Sequence, residues 1–108
     1  MEYRATYWHY QSPRRHYAND WAMCIDKWYD DRYIPAIALD VMVYGVDSQG
    51  GEVTVTISTF DKFSVDWLAG QVEGVMKDYR LDFDAQDKED FVTVLIEILS
   101  SNGKRREN

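Results

Sequence analysis

SPRRHYANDWAMCIDKWYDD, residues 12–31, is the stretch on which the fold turns. Ser12 followed by Pro13 matches an N-cap with proline at the first helical position. Beyond it Tyr17, Trp21, Cys24, Ile25 and Trp28 recur at helical spacing and make one apolar stripe that runs to about Asp31. The spacing predicts a first helix here, with a lone strand before it and a hairpin after it.

That lone strand is EYRATYWHY, residues 2–10, which alternates Tyr3, Ala5, Tyr7 and His9 against Arg4, Thr6, Trp8 and Tyr10. Past Pro35, AIALDVMVYGV and EVTVTISTF flank the glycine-bearing DSQGG, and the pair reads as a hairpin. Ile37, Leu39, Val41 and Val43 share its inner face with Val53, Val55 and Ile57, while Thr54, Thr56 and Ser58 face out. Ser64 can cap a helix with Val65, Leu68, Val72, Val75, Met76 and Tyr79 on its apolar face and Asp66, Ala69, Gly70, Glu73 and Lys77 opposite. A last helix runs from about Asp84 or Ala85 to Ser101, with an acidic start and an Asn102–Gly103 stop.

The order β-α-β-β-α-α predicts an α+β fold: a three-stranded antiparallel sheet in spatial order 1-3-2, with about three helices packed on one face. Residues 1–103 are expected to form a single domain and 104–108 a flexible tail. Trp21, Trp28, Val55, Ile57, Leu68, Val72, Phe91, Leu95 and Ile98 are the expected core.

At 108 residues, 45% hydrophobic and 15% aromatic, the chain is long and apolar enough for one packed core and too apolar for disorder. Its net charge of −7 and pI near 4.6 argue against a phosphate-neutralising surface for nucleic acid. The acids are unevenly spread: residues 1–35 hold five acids and five bases, residues 36–103 thirteen acids and four bases. A single cysteine, Cys24, and no signal-like opening segment place the chain in a reducing cytoplasm, the host's if phage-encoded. No apolar run approaches the roughly 20 residues of a membrane span.

The densest acidic run is DFDAQDKEDF, residues 82–91. As a calcium loop it fails, because the sixth position would be Asp87 where glycine is required and the twelfth would be Thr93 where a bidentate Glu is required. As catalytic carboxylates these acids lack an apolar wall to separate their proton affinities. Cys24 falls on the apolar stripe and reads as a buried thiol. His16 and Asp20 have helical i, i+4 spacing and His9 lies nearby, without a third metal ligand at recognisable spacing. DSQGG lacks the lysine and following helix of a phosphate loop. In YWHYQSPRRHY aromatics interleave with Arg14 and Arg15, a mixture that suits single-stranded nucleic acid or a protein contact, but the charge of the whole chain favours a core with a solvated first turn.

With no catalytic constellation, cofactor site or metal site, the expectation is a non-enzymatic protein that binds a basic partner. We expect an inhibitor of a nucleic-acid-handling effector, of the phage anti-CRISPR or antirestriction type, with carboxylates standing in for phosphates as a DNA mimic. An immunity protein against a toxin nuclease uses the same electrostatics, and a small enzyme with a site invisible in sequence is the third reading. The expected contact residues are Asp66, Glu73, Asp78, Asp82, Asp84, Asp87, Glu89 and Asp90, with Trp8, Tyr10 and Tyr44 on an outer sheet face.

Overall fold

The computed structural model describes residues 3–10, 21–30, 37–46, 49–59 and 63–100, and for 3–7, 28–30 and 37 the backbone alone. The chain is α+β, with strands β1 (Tyr3–Tyr10), β2 (Trp21–Asp30), β3 (Ile37–Val46) and β4 (Glu52–Ser58), then helices α1 (Val65–Asp78) and α2 (Ala85–Ser100). The antiparallel sheet has four strands in the order β1-β2-β3-β4. This corrects the expected three strands in order 1-3-2 and the expected three helices: Trp21–Asp30 is a strand. The proposed cap at Ser12 and Pro13, with Arg14, Arg15, His16, Tyr17 and Asp20, lies outside the described residues. So do the tail and the side chains of Tyr7 and Trp28.

β2 is a strand because it alternates, although a lysine disguises the alternation. Trp21, Met23, Ile25 and Lys27 all point into the core and are buried, while Ala22, Cys24 and Asp26 point outward and are only half-buried. Ridding the inner set of Lys27 would leave an ordinary two-residue period. Register then builds rows across the sheet: Tyr10, Met23, Val43 and Val55 in one, and Trp8, Ile25, Val41 and Ile57 in the next. The β3–β4 turn is made at Gly50, whose φ of 86° suits a residue without Cβ.

Both helices cover this inner face. Ser64 caps α1, its hydroxyl accepting from the Trp67 N–H at 3.0 Å, and Leu68, Ala69, Val72 and Met76 are buried. Ala69 is therefore core and not part of the polar face, whereas Tyr79 is exposed. α1 closes with a Schellman arrangement: the Arg80 N–H donates to the Lys77 carbonyl and the Leu81 N–H to the Met76 carbonyl. Arg80 takes the left-handed position there, φ 58°, where glycine is commonest. Leu81 turns inward to plug the end of the core.

α2 lays Phe91, Leu95 and Ile98 on the sheet, all fully buried and each contributing roughly 1.5–3 kcal/mol by removal from water. Trp21 stitches the sheet to the inter-helix turn. Its indole N–H donates to the Asp82 carbonyl at 2.7 Å, and its ring lies 5.3 Å from Phe83 edge-on and 6.0 Å from Tyr10. Of the expected core, Trp21, Leu68, Val72, Phe91, Leu95 and Ile98 are buried, and Val55 and Ile57 are partly so at the edge of the sheet. No described helix is long and apolar enough to cross a membrane.

Candidate functional site

Among the described residues two surfaces carry candidate chemistry. The first is the end of the helix pair where α1 turns into α2. Residues 63–100 hold nine acids against Lys77, Arg80 and Lys88. The turn gathers Asp78 from the last turn of α1, Asp82 and Asp84 from the connection, and Glu89 and Asp90 from the start of α2. Asp78, Asp82, Asp84 and Glu89 are exposed and Asp90 half-exposed. The turn is held by the Schellman bonds, by the buried Leu81 and by Trp21, so the carboxylates are displayed on an ordered frame.

Three of the expected contact acids do not join that group. Asp66 lies in the first turn of α1, twelve residues and so about 18 Å of helix from Asp78. Glu73 is engaged by Lys88, whose amine donates to its Oε1 at 2.9 Å across the two helices. Asp87 is wholly buried. Its Oδ2 accepts from the Asp84 N–H at 3.0 Å while Asp84 Oδ1 accepts from the Asp87 N–H at 2.9 Å, a reciprocal capping box at the start of α2. Asp84 thus caps the helix as expected, but Asp87 is a structural anchor and its place on the negative surface is corrected. On the next turn the Gln86 amide donates to Glu89 and Asp90 at 3.2 and 3.0 Å.

The second surface is the outer sheet face, none of whose described side chains is buried. Tyr44 lies there as expected, its hydroxyl 3.6 Å from Cys24 Sγ and its ring 6.2 Å from His9. Trp8 and Tyr10 do not: they are 5% and 9% exposed, in register with Ile25 and Met23 on the inner face, with Tyr10 6.1 Å from Phe91. Their expected outer placement is overturned because the buried rows of β2 and β3 need aromatic cover on the β1 side. Cys24, expected inside a helix stripe, is instead on this outer face and partly exposed, directly across from His9.

Sequence reasoning missed one feature here altogether. Asp26 and Asp40 are direct cross-strand partners on the two central strands. Asp26 is held above the ordinary carboxylate range, first by its burial and then by the charge of Asp40. The only signal for this pair was the register, and the register could not be read while β2 was taken for a helix.

A third titratable group is internal. Lys27 is 3% exposed, and its amine donates to the Ile98 and Leu99 carbonyls at 3.0 and 3.3 Å, at the last turn of α2. Burial lowers its pKa. Among the described residues no three His, Cys, Asp or Glu side chains converge as a metal site would require. No family model matches this chain, and no curated protein or solved structure matches it.

Proposed function

We propose that this chain is a binding protein for a basic surface, acting by stoichiometric inhibition of a nucleic-acid-handling effector of the anti-CRISPR or antirestriction kind. The observation that carries the reading is the group of Asp78, Asp82, Asp84, Glu89 and Asp90 around one hydrogen-bonded turn, in a chain of net charge −7. Ordered carboxylates on a frame lose little side-chain and backbone freedom on binding, so their attraction for Lys and Arg is spent on affinity and steering. Nucleic acid itself is repelled by the same group.

The test begins with the partner recovered from host lysate on the immobilised protein and identified by mass spectrometry. Affinity is then measured for the wild type and for Asp78→Lys/Glu89→Lys/Asp90→Lys, a set that leaves Asp84 and Asp87 in place to cap α2. Binding should weaken at least tenfold, about 1.4 kcal/mol, and should also fall as salt rises. A partner whose affinity is indifferent to both removes the proposal. A captured toxin nuclease would assign the chain to immunity, and a captured defence effector to inhibition.

A further inference from the structure

We infer that β4 is a self-association edge, along which two copies of this chain join their sheets into one of eight strands about a two-fold axis at Val55. The inference is independent of the acidic helix turn and rests on the backbone of β4 and its register.

Among the described strands β4 pairs with β3 on one side and has no neighbour on the other. Which of its residues face outward follows from Thr59, whose N–H donates to the Leu39 carbonyl at 2.8 Å and whose hydroxyl accepts from the Leu39 N–H at 2.9 Å. Backbone groups alternate sides along an antiparallel strand. Ile57, Val55 and Val53 therefore bond toward β3 as Thr59 does, and Glu52, Thr54, Thr56 and Ser58 present their N–H and C=O groups to the open edge. Natural edges are blunted by lysine, proline or a bulge. Between Glu52 and Ser58 there is no lysine or proline, and the register with β3 runs without a slip.

The same edge is complementary to itself. With Val55 on the two-fold axis, Thr54 faces Thr56 of the second copy and Glu52 faces Ser58, so all four outward residues find backbone partners. On the inner face Val55 meets its own copy and Val53 meets Ile57, which covers the half-exposed Val55 and Ile57. Charge selects this line of approach. Two chains of net charge −7 repel each other, but Glu52 is the strand's one charged residue, and the two copies of it stand six residues apart, about 20 Å, beyond the roughly 10 Å reach of unscreened charge. Shifting the pairing by two residues in either direction leaves one of the four outward residues without its partner in β4.

Sedimentation of the full chain at high micromolar loading should give a dimer of twice 12.7 kDa. Thr56→Pro removes an outward N–H without taking a bond from β3, and should sediment as a monomer with an unchanged circular dichroism spectrum. Val55→Cys should cross-link under mild oxidation, because residues opposed at a non-hydrogen-bonded pair lie about 4.5 Å apart, within disulfide reach. Thr54→Cys, more exposed than Val55 but offset by two residues from its own copy at about 7–8 Å, should not. Cys24 lies on the outer face and away from this edge. A wild type that stays at 12.7 kDa overturns the inference, and so does a dimer that survives Thr56→Pro and fails to cross-link through Val55→Cys.

Discussion

Lys27→Met tests the element that sequence reading misassigned. The methionine keeps the unbranched stem that packs beside Leu39 and deletes only the amine. The amine makes two bonds to helix carbonyls, one at 3.0 Å and one longer at 3.3 Å. Bonds from a charged donor contribute about 1.5–3 kcal/mol each, and the longer one less, so the gross loss is about 2–4 kcal/mol. Against this stands the relief of desolvation, since burial lowers the pKa of Lys27 and so disfavours its charge. The net destabilisation expected in urea titration at neutral pH is about 1–2 kcal/mol, or a Tm loss of about 4–8 °C per kcal/mol. The wild type carries a second signature. A folded pKa below the unfolded value means that the unfolded chain binds more protons in that window, so stability rises with pH between the lowered pKa and 10.5. Lys27→Met loses that slope. A variant as stable as the wild type, with an unchanged pH profile, would show that the amine does nothing for α2.

Three further outcomes follow from single contacts. Asp87→Ala should cost about 1–2 kcal/mol by chemical denaturation, because a buried cap is lost, whereas Glu89→Ala two residues on should stay within about 0.5 kcal/mol. Arg80→Gly should stabilise by about 1 kcal/mol in the same assay, since glycine takes the left-handed position without a Cβ penalty. Asp26→Asn should stabilise at neutral pH by roughly 0.2–1 kcal/mol, by removing like charges directly opposed on the sheet. Because the folded pKa of Asp26 is raised above 3.8, the wild type gains stability as pH falls through that raised value, and the asparagine variant should lack this gain.

What was legible in the sequence is what local chemistry decides. The alternation of EVTVTIS, the Ser64 cap and the acidic start of α2 each report their element without help from distant residues. β2 is different: helically spaced aromatics offered one period, and Lys27 broke the other. What makes lysine tolerable there is a pair of carbonyls 71 and 72 residues away, which no local pattern reveals. The aromatics of β1 failed for a related reason. Alternation put Trp8 and Tyr10 on one side, but only pairing with Ile25 and Met23 says that this side is the core. Asp87 could have been found, since it stands four and eight residues before Phe91 and Leu95 on the buried stripe, but among so many acids its position looked like surface.

Among the described residues two buried charges, Asp87 on α2 and Lys27 on β2, meet the two ends of one helix. Asp87 sits at the N-terminal end of α2 and the amine of Lys27 at its C-terminal end, each of the sign that the helix dipole favours at that end. Each is also bonded to backbone groups that a helix end leaves unmatched, so the cost of burying it is offset where an uncharged core position would offer nothing. α2 is 16 residues long, which puts its ends about 24 Å apart. The losses from Lys27→Met and Asp87→Ala should therefore add in the double variant to within about 0.5 kcal/mol. A coupling of 1 kcal/mol or more would mean that the ends of α2 do not act separately, and that one charge holds the helix on the sheet for the other.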